Sequence, residues 1–370
     1  MRDNPRTFYR WLLPALFALL LAATVAAQNR PAEPSLQGEG SLKVMTYNMY
    51  AGTEYAGLTN PDYAIFSQAV TNLMVDVRAN DSAGRVQAIA RQIAATMPHL
   101  VSLQEAATWS TGTTKGNLTM EFDFLQLLLD ALAAQGVQYT TVVANTHFDV
   151  TLPGTLGYVR NTWRVVILAR ADLKAEDFSF TNVGWGSWSP AATLSYRLPA
   201  LDGSADCPVP LTGSLCVMPF PRGWAATDVT YRGKQFRYIS AHLESRSASR
   251  NIREGLELLN GPANSTLPVV VGADLNCDLS SPSDTKYPTC INFLDAGFVD
   301  AWGAANPNEP GYTKDLPVMT MRGDYVMVRG RFGVQAAVLA GEEFADRTQA
   351  GLWASNHCGV VARLQLPEDE

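Results

Sequence analysis

Short apolar runs in this chain end on polar side chains, and the pattern repeats. Val269-Val270-Val271 is a β-branched run that predicts a central strand, and it passes through Gly272-Ala273 into Asp274-Leu275-Asn276. Asp and Asn are poor strand formers, so they mark the strand's end. On an extended chain these two side chains, two residues apart, point to the same face. Five further runs share the design. Leu42 to Tyr47 ends at Asn48, and Leu100-Val101-Ser102-Leu103 ends at Gln104-Glu105. Phe236 to Ala241 ends at His242, with Glu244 beyond. Arg322-Gly323-Asp324 leads into Tyr325-Val326-Met327-Val328, and Ser355-Asn356-His357 precedes Cys358 to Ala362.

Between the runs the period changes. Val86, Ile89, Ala90 and Ile93 recur at helical spacing, with Asp81 or Ser82 as N-cap. Phe122, Leu125, Leu128, Leu129 and Leu132 predict a second helix that ends near Gly136. Ile252, Leu256 and Leu259 predict a third. Further strands are expected at 139–143, 164–168, 225–231 and 235–241, the last two joined by a hairpin turn at Arg232-Gly233-Lys234. Helices interleaved with strands and hairpins predict an α/β chain with a mixed sheet.

Each polar strand end has an ordinary reading: an Asx turn after a strand, a solvated loop Glu, a structural His. Six such pieces in this order and spacing point further. Thr46-Tyr47-Asn48, Leu103-Gln104-Glu105, Ala241-His242-Leu243-Glu244, Gly272-Ala273-Asp274-Leu275-Asn276, Arg322-Gly323-Asp324-Tyr325 and Ser355-Asn356-His357 resemble the motifs of the endonuclease/exonuclease/phosphatase superfamily. That family includes pancreatic-type deoxyribonucleases, abasic-site endonucleases, neutral sphingomyelinases and inositol-polyphosphate phosphatases. The resemblance spans residues 42 to 366 and does not single out a substrate. It implies a four-layer α/β sandwich, two packed mixed β-sheets flanked by helices, in one catalytic domain over residues 41–368, with the active site at one edge. The extra length near 50–83 and 172–222 reads as insertions.

The resemblance also implies roles. Phosphate oxygens suit a hard cation, and magnesium is commonly held by one or two carboxylates. Magnesium is the expected cofactor, with manganese or calcium as alternatives. Glu105 is the expected ligand and Asn48 its neighbour, as ligand or behind it. Asp274 would deprotonate or orient the attacking water, and Asn276 would hydrogen-bond phosphoryl oxygens as charge builds. His357 would donate to the phosphate, with Asp324 fixing its tautomer and favouring its charged form. His242 would support the phosphate or protonate the leaving group. Arg164 and Arg222 are candidate phosphate contacts. His99 and His147 read as structural. The chain departs from the family at Asn356, where an Asp is usual. An amide still ligates, but the lost charge forfeits up to roughly 4 kcal/mol of attraction for a cation about 4 Å away at an effective dielectric near 20. A weaker or absent second metal position is expected.

The N-terminus modifies this picture. Arg2, Arg6 and Arg10 form a basic start, Trp11 to Ala23 is apolar, and Val25-Ala26-Ala27 resembles a cleavage site. Residues 1–27 are expected to be a signal peptide and 28–40 a linker, giving a secreted or periplasmic protein with no stable membrane span after cleavage. An uncleaved anchor is the competing reading; the run is short for a bilayer span and contains Pro14. Cleavage removes three Arg and one Asp, taking 28 basic and 35 acidic residues to 25 and 34, a net charge of −9. Such a surface disfavours tight nucleic-acid binding but not a nuclease that holds its substrate weakly.

Cys207, Cys216, Cys277, Cys290 and Cys358 all follow the leader. Export permits disulfides, and proximity suggests Cys207–Cys216 and Cys277–Cys290, leaving Cys358 buried and free; reduced thiols are the alternative. Pancreatic-type deoxyribonucleases also carry a disulfide after the Asp274 motif. Trp185, Trp188 and Tyr196 either pin the second insertion onto the domain or touch lipid or a nucleobase. Asn117-Leu118-Thr119 and Asn264-Ser265-Thr266 match glycosylation acceptors.

The expected function is a secreted, metal-dependent phosphoesterase that cleaves phosphodiester bonds as a monomer. Nucleic acid is the leading substrate, phospholipid head groups come next, and phosphate monoesters third. A non-catalytic exported binding protein on the same fold is the rival.

Overall fold

The β-branched and aromatic runs do form strands, and their polar ends gather on one side. A computed structural model describes residues 40–367 apart from 56, 61, 200–208 and 211–214, with the backbone alone over 196–216. The leader and the Cys207–Cys216 pair fall outside the described residues. Among those described, no helix is long and apolar enough to cross a membrane.

The first half of the chain runs β1 (Leu42–Asn48), α1 (Tyr63–Ala79), α2 (Ser82–Thr96), β2 (Leu100–Gln104), β3 (Thr108–Thr114), β4 (Asn117–Asp123), α3 (Phe124–Ala134), β5 (Tyr139–Gly154) and β6 (Gly157–Arg170). Then follow β7 (Phe178–Ser187), β8 (Leu194–Pro199), β9 (Val209–Pro210), β10 (Leu215–Phe220), β11 (Gly223–Tyr231) and β12 (Lys234–His242). The chain continues through α4 (Ala248–Asn260), β13 (Val269–Asp274), α5 (Tyr287–Asp295), β14 (Val299–Asp300) and α6 (Ala301–Ala305). It closes with β15 (Asp324–Arg329), β16 (Gly333–Ala340) and β17 (Gly359–Gln365).

Two large mixed sheets result. One has the order β16-β17-β1-β2-β6-β3-β4, with β5 also on β6; the other has the order β14-β15-β13-β12-β11-β7. Their inner faces share one core: Val44, Leu100 and Ile167 from the first sheet meet Tyr238, Val270 and Val326 from the second. The approach is close at Gly272, where an added Cβ would lie 2.6 Å from Ser102 Oγ. The outer face of the first sheet packs under α1, α2 and α3 through Phe66, Ile89 and Leu128. The outer face of the second is covered by α4 and α5 through Leu258 and Phe293. This is the expected four-layer sandwich in a single domain.

Pairing direction places the polar ends together. β1 and β2 are parallel with Asn48 opposite Gln104, and β12 and β13 are parallel with His242 opposite Asp274. β15 runs antiparallel to β13, so its first residue, Asp324, lies opposite Asp274. β17 is antiparallel to β1, which brings the residues just before it to the same edge.

Several element boundaries differ from the sequence pattern. Phe122 belongs to β4; the second helix begins after Asp123, whose carboxylate accepts from Leu125 N and Gln126 N as its N-cap. On α4 the buried face is Asn251, Glu254, Gly255 and Leu258, while Leu256 is exposed. Helix α1 and the β3–β4 hairpin were not anticipated. The hairpin turn between β11 and β12 is as expected, with Arg232 at φ 52° and Gly233 at φ 76°, the left-handed pair a two-residue turn requires.

Candidate active site at the polar end of the sandwich

Asn48 sits at the centre of the cluster. Its Nδ2 donates to Glu105 Oε1 (3.2 Å) and to Asp274 Oδ2 (3.1 Å), bridging two carboxylates that come from different sheets. Its own oxygen accepts from Tyr50 N, so Asn48 stands behind the carboxylates as an organiser. Glu105 takes a left-handed φ of 54°, as does Asn276 at 53°. Such backbone costs about 1–3 kcal/mol for a non-glycine residue and persists where the surroundings over-determine it. Here the second oxygen of Glu105 accepts from Ala51 N, and Asn276 N is held by Asp274 Oδ1.

His242 lies against both carboxylates, with Nε2 3.4 Å from Asp274 Oδ2 and 3.9 Å from Glu105 Oε1. Arg222 Nη1 is 2.9 Å from the same Nε2 and 3.1 Å from Nδ1, so it rests against the ring. Burial, and then the Arg222 charge, hold the His242 imidazole well below its usual pKa. This shift favours the neutral imidazole, the form suited to supporting the phosphate. Arg222 carries the positive charge instead; it is packed over Trp163 and Phe220 and reaches Glu244 at 4.0 Å.

His357 is the opposite case. Its Nδ1 meets Asp324 Oδ2 at 2.8 Å. Burial alone lowers its pKa, but the charge and hydrogen bond of Asp324 more than offset this, and the net shift is upward. Asp324 Oδ2 also accepts from Thr313 Oγ1, and Ser355 Oγ, which donates to Asn48 O, accepts from His357 N. With Nδ1 engaged, the Nε2 edge of His357 is the one that serves the cleft.

Asn276 gives one amide N–H to Leu243 O, and its oxygen accepts from Lys314 Nζ. Its remaining N–H is the one left for a phosphoryl oxygen. Behind it, the Cys277–Cys290 disulfide ties the loop to α5, with a Cα–Cα distance of 5.9 Å. Cys358 is free and buried.

The cleft above these residues is lined by Tyr55, Leu58, Trp163, Met218 and Phe220 on one side, and by Glu105, Arg222, Arg246, Lys314, Asn356 and His357 among its polar groups. The structure thus brings together Asn48, Glu105, Arg222, His242, Asp274, Asn276, Asp324, Asn356 and His357. Arg164 is not among them. Its guanidinium donates to Ala106 O and Asp123, clamping the cap of α3, so it is a structural residue and not a phosphate contact. His99 and His147 are also apart. His99 accepts from Lys43 N and meets the Tyr231 hydroxyl, and His147 Nδ1 meets Pro221 O. Trp188 is buried and donates to His242 O, pinning its segment, whereas Trp185 is 62% exposed.

Sequence reasoning missed Glu54, Arg246 and Lys314 in the cleft wall and Asn251 beneath it. Asn251 Nδ2 donates to Glu244 O and Leu275 O, fastening two of the polar strand ends to each other. A polar pair at helical spacing, Asn251 and Glu254, was the available signal.

The donor set fits a hard cation. Among the described residues, Glu105 and Asp274 have no Lys or Arg ion-pair partner; the one basic side chain within 4 Å of either is His242, which is neutral. Glu54 at the cleft rim is held above the usual carboxylate range, first by partial burial and then by the Glu105 charge. Carboxylates that repel one another across a polar cleft are relieved by a cation between them. Asp274, Asp324 and His357 also bring possible ligand atoms within 4.8 Å of one another. There Asp324 Oδ2 is engaged by His357 and Thr313, while its buried Oδ1 has no hydrogen-bond partner.

No protein-family model matches the chain, and no curated protein matches it significantly. Solved structures do. The chain is similar to an endonuclease/exonuclease/phosphatase family protein from Leptotrichia buccalis, at TM-score 0.53 and 14% identity over 87% of this chain and 99% of that one. A second, from Beutenbergia cavernae, matches at TM-score 0.52 and 19% identity over 89% and 72%. A mannosyl-6-phosphatase from Bacteroides thetaiotaomicron matches at TM-score 0.51 and 15% identity over 88% and 99%. At these identities the likeness establishes the fold.

Proposed function

We propose that this chain, which has the fold of the endonuclease/exonuclease/phosphatase family, is an exported divalent-metal-dependent phosphoesterase that hydrolyses phosphodiester bonds. The observation that supports this most is convergence. Six sequence segments from both sheets deliver Asn48, Glu105, His242, Asp274, Asn276, Asp324 and His357 into or directly beneath one cleft.

Asp274 is the carboxylate that orients and deprotonates the attacking water, with Asn48 and neutral His242 fixing its outer oxygen. His357, kept charged by Asp324, donates to a phosphoryl oxygen as negative charge grows there. The remaining Asn276 N–H adds a second donor. Glu105, with Glu54 and Asn356 nearby, would hold a divalent cation, which when bound neutralises phosphoryl charge. Magnesium is the expected ion. The signal peptide expected over residues 1–27 would account for export.

Nucleic acid is the leading substrate. Arg222, Arg246 and Lys314 give the cleft local positive charge within an acidic protein, which suits a weakly held polyanion. The apolar wall of Leu58, Met218 and Phe220 favours a phospholipid head group as the second reading. A panel of plasmid DNA, RNA, sphingomyelin vesicles and inositol phosphates, each with magnesium, separates them. Cleavage of DNA or RNA is expected. Turnover of sphingomyelin alone would select the second reading. No turnover of any substrate with magnesium, manganese or calcium would leave a binding protein.

A further inference from the structure

Lys314 lies outside all six motifs, in the strap that precedes β15, yet the fold delivers it to the reacting end of the cleft. The strap is pinned on both sides. Thr313 N and Lys314 N donate to Met321 O at 2.9 and 3.0 Å, Cys358 N donates to Thr313 O at 2.8 Å, and Asp315 N donates to Asn356 O at 3.0 Å. The Thr313 hydroxyl accepts from Gly323 N and Asp324 N while donating to Asp324 Oδ2. Lys314 is thus locked beside the His357–Asp324 pair. Its stem crosses Gly323 so closely that a Cβ there would fall 2.3 Å from Lys314 Cδ and 3.3 Å from Asp274 Oδ1. Glycine at 323 is what lets the lysine reach inward.

The head group ends 2.5 Å from Asn276 Oδ1, a neutral acceptor. Among the described residues it forms no ion pair with a carboxylate. An ammonium has three donors, and the amide takes one. A half-buried cation held by an amide keeps its charge available to an anion, whereas one held by a carboxylate would not. Next to it stands Asn356, whose neutral amide does little to attract a second metal ion.

We propose that Lys314 is a substrate-contacting residue that binds a non-bridging oxygen of the phosphoryl group and acts as a fixed positive charge on the Asn356 side of the cleft. This rests on the phosphoesterase reading of the site. The alternative is that Lys314 only holds Asn276 in place.

Titration of inorganic phosphate into the full chain with magnesium present, by isothermal calorimetry, tests the assignment with three variants. Lys314→Gln keeps a donor for Asn276 without the charge, Lys314→Arg keeps the charge, and Lys314→Met keeps the stem over Gly323 should the Gln variant fold poorly. Phosphate affinity is expected to fall about tenfold or more in the Gln and Met variants and to stay near wild type in Arg, the size of a lost charge-assisted hydrogen bond. Thermal midpoints are expected to stay close to wild type. Wild-type affinity in Lys314→Gln and Lys314→Met would overturn the contact while leaving the phosphoesterase reading intact. Wild-type protein that neither binds phosphate nor turns over a diester would overturn both.

Discussion

At the level of single residues, the cleft holds two histidines pushed in opposite directions. Burial and then the Arg222 charge lower the His242 pKa, whereas the Asp324 charge and hydrogen bond raise that of His357 against its burial. If charged His357 is the form that works, activity persists above the ordinary imidazole pKa and falls as pH rises through its raised value. Asp324→Asn removes the leading upward influence and leaves burial to lower the pKa, so the alkaline limb of the pH–rate profile is expected to move to lower pH. An unmoved limb would mean that another group sets it. The side chains that gather at the cleft were legible because each sits in a short local string at a strand end. Lys314, Arg246 and Glu54 were not, since each lies in a loop whose place is set by contacts far away in sequence. Arg164 was misread because an arginine near a strand edge looks alike whether it faces a phosphate or the capping Asp123.

At the level of elements, the apolar runs with polar ends were read well and the helices less so. Helix α1 carries a regular apolar stripe, Phe66, Val70, Leu73 and Val77, behind the cap Asp62, which accepts from Ala64 N and Ile65 N. The stripe was available, but the turn-rich segment ahead of it disguised it as an insertion loop. On α4 the apolar residues at 252, 256 and 259 suggested the wrong face. The helix turns Asn251 and Glu254 inward because the polar strand ends need partners there, so tertiary demand overrides hydrophobic patterning. Asn251→Ala would leave the Glu244 and Leu275 carbonyls buried without that donor. A loss of about 1–3 kcal/mol is expected in urea unfolding, with a fall in diester turnover. A variant as stable as wild type would show that water replaces the amide.

At the level of the whole molecule, the sandwich architecture followed from the interleaving of strands and helices together with the family motifs, and strand direction then explains why distant motifs share one edge. The pairing order of the sheets was not readable, because it is set by contacts across the core, such as Gly272 against Ser102. Burial has a global consequence for stability. His99 is lowered to about 4 by burial, then by Arg170 and Lys43, and His147 to about 3, chiefly by burial. Between those values and about 6.5 the unfolded chain binds protons that the folded chain refuses, so stability falls as pH drops through this window. Each histidine contributes up to roughly 1.4 kcal/mol per pH unit. His99→Gln is expected to make the loss between pH 7 and 5, followed by urea unfolding, shallower than in wild type. An unchanged slope would show that His99 protonates without cost in the folded state.

The most direct measurement is hydrolysis of bis-p-nitrophenyl phosphate by the purified chain with magnesium, with chelator, and in Asp274→Ala. Turnover is expected with magnesium, none after chelation, and a loss of about a hundredfold or more in the variant, which should remain folded. Absence of turnover with magnesium, manganese and calcium, or wild-type rates in Asp274→Ala, would contradict a cleft built to hydrolyse phosphodiesters.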